Sequence, residues 1–190
     1  MVTKGDILSA AYRCFSKKGY SMSVQEIAAE VGLKASSLYS HFGSKDEILK
    51  LKINQEIEDY IHYHKNVVEK MGDIGVEEAL KTIFLSIFQY FNSIERIKFW
   101  RNILFIDNEK LLNECKPWIH EIDAMSAEEL KSIMEKGIRE GILKEDAMKG
   151  GLKLYLAMIQ GLLDGLLLYS NDIGDYIEDT WETYWSSIKR

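Results

Sequence analysis

The chain is expected to fold as an all-α protein of about nine helices, and three observations predict it. Apolar residues recur at helical spacing: Val76, Ala79, Leu80, Ile83, Phe84, Ile87, Phe88 and Phe91 fall at i, i+3, i+4 and i+7 without a miss. One proline among 190 residues is too few for the turn-rich connections of an all-β fold. No window alternates apolar and polar residues between turn signals as a strand would.

Start and stop signals divide this pattern into elements. Thr3 and Asp6 open a first helix that stops at Lys17-Lys18-Gly19. Ser23 with Glu26, and Ser44 with Glu47, have the spacing of capping boxes, which satisfy the orphan amides of a helix start. Between them, Gly32 separates two short helices over about 24–31 and 35–41. A long helix follows from 45 to about 70, with Ile53, Ile57, Tyr60, Ile61, His64, Val67, Val68 and Met71 along one stripe and Gly72 and Gly75 ending it. Further helices are expected over 76–92, 94–106, 117–140, 147–170 and 173–188. Pro117 suits a first helical turn, where its missing donor is harmless, and Ser126 with Glu129 offers a restart midway. Ile173, Tyr176, Ile177, Thr180, Trp181, Tyr184, Trp185 and Ile188 line the last helix.

Composition narrows the function classes. With 46% hydrophobic, 28% charged and 11% aromatic residues, the chain can bury a real core and is not disordered. The richest apolar run, Gly161 to Tyr169, carries Asp164 in its middle and falls short of the roughly 18 residues of a membrane span, so no membrane partner is expected. The opening Met-Val-Thr-Lys-Gly-Asp lacks a basic segment followed by an apolar one, and Cys14 and Cys115 suggest no disulfide framework. A cytoplasmic location is expected. The net charge of −6 is uneven: residues 1–55 carry eight basic and five acidic side chains, net +3, which leaves −9 on the rest. A basic end on an acidic body suits one end that meets a polyanion.

The segment from Ser23 to Leu33 has the grammar of a helix-turn-helix. Ala28 is small where two helices cross, Gly32 takes the turn, and Ile27, Val31 and Leu38 form a small core. The second helix then presents Lys34, Ala35, Ser36, Ser37, Tyr39, Ser40 and His41, short or polar side chains able to face a DNA groove.

Ile27-Ala28, Gly32-Leu33, the run Ser36-Ser37-Leu38-Tyr39-Ser40-His41-Phe42 and Lys45-Asp46-Glu47-Ile48-Leu49 together resemble the DNA-binding signature of the tetracycline repressor (TetR/AcrR) family of bacterial transcription regulators. Ala10-Ala11, Phe15 and Gly19-Tyr20 extend the resemblance upstream, over about the first 50 residues; the rest is similar only in plan, as in the Gly137…Gly141 helix ending. The resemblance implies a DNA-binding domain at 1–47 and a helical effector-binding and dimerisation domain at 48–190. It implies that Tyr39 and His41 meet the DNA backbone, that Lys45 meets a phosphate, and that Ser23 and Gln25 reach phosphate or base. The implied partners are double-stranded DNA with a palindromic operator, a second copy of the chain and a small-molecule effector. The expected role is that of a repressor released by a small, largely apolar or cationic molecule. The alternative is a regulator of the same fold that answers to a protein partner.

The acidic body offers residues for the remaining roles. His64, Phe88, Phe99, Trp100, Trp118, Met125, Met158, Gln160 and Asp164 are expected at an effector site, since rings and thioethers adapt to apolar ligands and the three polar groups could orient one. Leu154, Ala157, Met158, Gly161, Leu162, Gly165 and Leu168, with Trp181 and Trp185, are expected at a dimer interface, because small residues four apart let helices approach closely. Apolar residues surround the helix at 147–170 so completely that burial on all sides is expected. No cofactor or metal is expected: His62 and His64 point to different helix faces, and Cys115 and His120 lack a ligand-spaced carboxylate. No nucleophile constellation or nucleotide loop marks an enzyme.

Overall fold

The computed structural model describes residues 2–169 and 173–190, except for the side chain of residue 173. Within them lie nine α-helices: α1 (Lys4–Lys18), α2 (Val24–Glu30), α3 (Ala35–Leu38), α4 (Lys45–Met71), α5 (Val76–Tyr90), α6 (Ile94–Ile103), α7 (Glu109–Arg139), α8 (Ala147–Leu168) and α9 (Ile173–Ile188), with a 3-10 turn at Gly19–Ser21. No strand occurs among the described residues; the single bridge pairs Leu143 with Lys189.

The helices gather into two compact units. The first comprises Met1–Tyr60 and Ser93–Glu121, the second Ile61–Asn92 and Ile122–Arg190. In the first, α1 packs on α2 and α6, and α2 on α3. Phe15 and Phe99 meet edge to face in its core, and Tyr12 stacks on Phe99. The Asn102 amide donates to the carbonyl of Phe15 at 2.7 Å, closing the end of α1.

In the second unit α8 packs on α9. Its core centres on Trp181, fully buried beside Phe84 and Tyr184, with Tyr155 donating its hydroxyl to the Leu80 carbonyl at 2.8 Å. Gly137 is a close-approach site: a Cβ there would stand 2.7 Å from Leu143 Cδ1 and 2.9 Å from Val76 Cγ1.

Several expected boundaries are corrected. Helix α7 begins at Glu109, not Pro117, and Pro117 lies within it. The reason is packing: Leu111 and Cys115 are buried, Lys50 bridges Glu114 at 2.6 Å, and Asn108 accepts from the Leu111 amide as a cap. These interactions hold the first two turns despite a proline cost of about 3 kcal/mol. The helix also runs unbroken through Ser126 and Glu129. Helix α3 ends at Leu38, and 39–41 continue as a hydrogen-bonded turn in which His41 donates to the Leu38 carbonyl at 2.9 Å. Helix α6 stops at Ile103, and α8 ends at Leu168; the expected end at residue 170 lies outside the described residues.

Candidate nucleic-acid interface

The head is built by caps. At α2, the Ser23 hydroxyl accepts from the Glu26 amide while the Glu26 carboxylate accepts from the Ser23 amide at 2.8 Å. Lys18 also pairs with Glu26, and this partner with the Ser23 donors holds the carboxyl down at about 2. At α4 the Ser44 hydroxyl accepts from the Glu47 amide at 3.1 Å, but the Glu47 carboxylate takes the amide of Gly43 and not that of Ser44.

The turn between α2 and α3 is set by Gly32, at φ +70°, where a side chain would be strained. Around it the amides of Val31 and Leu33 both donate to the Ala28 carbonyl, at 3.2 and 2.9 Å. Ile27, Ala28 and Leu38 are buried, which fixes α3 across α2.

The other face of that pair is open. Gln25, Lys34, Ser36, Tyr39 and Ser40 are exposed, Tyr39 by 55%, while Ser23, Ala35, Ser37, His41 and Lys45 are half-buried. All ten expected contact residues thus lie on one short stretch of structure. Three are engaged within the protein: the Ser23 hydroxyl serves its cap, the Ser40 hydroxyl donates to the Ser37 carbonyl at 2.6 Å, and the Lys45 ammonium donates to the Tyr20 carbonyl at 2.8 Å and stands 3.8 Å above the Tyr20 ring.

The expected effector residues divide between the two units. Phe99, Trp100 and Trp118 belong to the first unit, and His64, Phe88, Met125, Met158, Gln160 and Asp164 to the second. Phe99 is fully buried among Tyr12 and Phe15, and Trp100 lies edge-on to Tyr60, so both serve packing in their unit. His64 is buried, which lowers its pKa. Gln160 and Asp164 are exposed on α8 instead of interior. Met158 borders a shallow groove of about 290 Å³ with Leu154, Asp179, Thr180, Thr183, Tyr184 and Ser187.

The expected interface residues also separate. Trp181 and Trp185 stack inside the second unit, both buried, so they are core and not surface. Leu154, Ala157, Gly161 and Leu168 are exposed, and Met158, Leu162 and Gly165 half-buried. The all-round burial expected of α8 is therefore absent within the chain: Leu154 is 48% exposed and Leu168 72%. Among the described residues α8 alone is long and apolar enough to cross a membrane. Sequence reading missed Asn102 and Asn108, whose side-chain amides donate to the Phe15 carbonyl and to Tyr20 and Asp46.

The sealed α2–turn–α3 pair with its exposed polar face defines a helix-turn-helix protein of the DNA-reading class. Comparison with known proteins agrees. Residues 7–51 match the model of the bacterial regulatory proteins of the tetR family. The chain is 26% identical over 126 residues to the HTH-type transcriptional regulator YvaF of Bacillus subtilis (strain 168), a match covering 58% of this chain and 66% of that protein. A second regulator of that organism, YerO, is 33% identical over 79 residues, 41% of this chain and 27% of its own length. The chain thus spans just under two thirds of the first of these relatives and about a quarter of the second. In fold it is similar to the ketosteroid transcriptional regulator KstR2 of Mycobacterium tuberculosis, with a TM-score of 0.73, 16% identity and coverage of 100% and 97% of the two chains. By this match residues 7–51 resemble the DNA-binding segment of the tetR-family regulators, and the whole chain shares the fold of solved regulators such as KstR2.

Proposed function

We propose that the chain is a homodimeric repressor that holds a palindromic operator through residues 1–47 and is released by a small, apolar or cationic molecule bound by residues 48–190. The observation that carries the DNA reading is the exposed row Lys34, Ser36, Tyr39 and Ser40, backed by a buried core that fixes its direction. Hydroxyls and one ammonium on and beside a short helix suit phosphates and base edges of a groove about 12 Å wide. In this reading Tyr39 and His41 meet the backbone, and Lys45 keeps ammonium protons for a phosphate beyond its bond to Tyr20.

Dimerisation is supported by the exposed α8 face, on which Leu154 and Leu168 stand with Ala157 and Gly161. A second copy covers such a face with like surface, because a two-fold interface is self-complementary. Helix α4 contributes 45–60 to the first unit and 61–71 to the second, so one helix carries both Lys45 and His64. A ligand that shifts its second half alters the head; coupling of about 1–3 kcal/mol gives a 5–150-fold change in DNA affinity. For the effector, His64, Phe88, Met125 and Met158 of the second unit are the proposed contacts.

The test is selection of bound DNA from a random pool, followed by a compound screen for release. A palindromic consensus and a releasing compound support the proposal. Absence of any selected sequence refutes the operator reading, and release only by added protein favours a protein partner.

A further inference from the structure

Tyr20, Lys45, Asp46 and Asn108 form one connected cluster in the first unit. The Asn108 amide donates to Asp46 Oδ2 at 2.8 Å and to the Tyr20 hydroxyl at 3.2 Å. Tyr20 in turn donates its hydroxyl to Asp46 Oδ1 at 2.9 Å, so both carboxylate oxygens are engaged. The Tyr20 ring, pinned at its far end, lies under the Lys45 ammonium at 3.8 Å, and its carbonyl accepts from that ammonium at 2.8 Å. A cation held over a ring and on a carbonyl keeps one place; a free lysine samples many rotamers and loses entropy on meeting a phosphate.

Asn108 stands at the far end of this chain of contacts, just ahead of α7, and its other amide atom accepts from the Leu111 amide at 3.1 Å. We propose that Asn108 is a positioning residue for DNA binding: it fixes Asp46 and the Tyr20 hydroxyl, and the Tyr20 so fixed holds the Lys45 ammonium where a phosphate meets it. This rests on the proposed reading of Lys45 as a phosphate contact. It places a determinant of DNA affinity more than 60 positions along the chain from the head's own helices, at the start of α7.

The test uses Asn108→Ser, whose hydroxyl can still cap the Leu111 amide but is too short to reach Asp46. Affinity for DNA selected by the wild type is measured against salt for wild type, Asn108→Ser, Lys45→Ala and the double variant, with helix content followed by circular dichroism. Asn108→Asp, which faces Asp46 with a second carboxylate, is a further variant and is expected to lose at least as much. Lys45→Ala should make the salt slope shallower by about 0.9. Asn108→Ser is expected to bind about tenfold more weakly, with a shallower slope and unchanged helix content. The double variant should bind within about twofold of Lys45→Ala alone, since Asn108 acts through Lys45. A purely structural asparagine would leave the slope alone. A wild-type slope in both Asn108 variants, or additive losses in the double variant, overturns the positioning role while the DNA reading stands. An unchanged slope in Lys45→Ala removes the phosphate contact and this inference with it. Failure of the wild type to select any DNA removes the proposed function itself.

Discussion

Replacing Gly161 with Leu separates what one chain needs from what two copies need. A Cβ built on Gly161 meets nothing within 4 Å, so the chain alone has room for a larger side chain. Within one copy the change should stabilise α8 by about 0.8 kcal/mol, since glycine is a poor helix former and leucine a good one. Across a two-fold axis the same site occurs twice. Overpacking there costs about 1–3 kcal/mol per site, or roughly 2–6 kcal/mol per dimer. That weakens dimerisation by roughly 30-fold to more than 10,000-fold. Sedimentation equilibrium over a range of concentrations should therefore show monomers, while far-ultraviolet circular dichroism shows undiminished helix. A dimer as tight as the wild type refutes the assignment of this face, and a loss of helix refutes the open space around Gly161.

Other variants probe the head and the second core. Tyr39→Ala and His41→Ala should each weaken operator binding with dimerisation intact; wild-type affinity in both, by fluorescence anisotropy, contradicts the proposed contact face. Gly137→Ala places a methyl 2.7 Å from the buried Leu143 and 2.9 Å from Val76, which a helix-propensity gain of about 1 kcal/mol does not offset, so a net loss of about 1 kcal/mol is expected in urea unfolding. A variant as stable as the wild type shows that this contact can relax freely. Glu26, held down at about 2 by Lys18 and the Ser23 donors, should keep its cap on α2 through the usual carboxylate range. Because its folded pKa is depressed, the stability it gives is present above about 4.5 and lost as pH falls through about 2. Carboxyl carbon resonances should titrate accordingly, and a midpoint near 4.5 refutes the cap geometry.

The head was legible because its signals are local. Ser23, Glu26 and Gly32 act within a few residues of themselves, so the capping box and the turn follow from spacing alone. The start of α7 was not legible, since Pro117 is a strong local signal and the contacts that override it come from Lys50 and from burial of Leu111 and Cys115. Asn102 and Asn108 escaped notice for the same reason: their partners are Phe15, Tyr20 and Asp46, all more than 60 residues away. The α8 and α9 stripes announced apolar helices correctly, but periodicity cannot say which apolar residues meet their own chain. Trp181 and Trp185 are buried by it, whereas Leu154 and Leu168 stay exposed.

The four tryptophans divide evenly: Trp100 and Trp118 sit in the first unit, Trp181 and Trp185 in the second. Each unit therefore carries its own intrinsic fluorophores, and two paired Trp→Phe proteins make the emission of either unit visible alone. Red shifts on denaturation then show whether the units melt together or one after the other. The same pair of proteins reports which unit senses an added compound, without a dye and before any effector has been named.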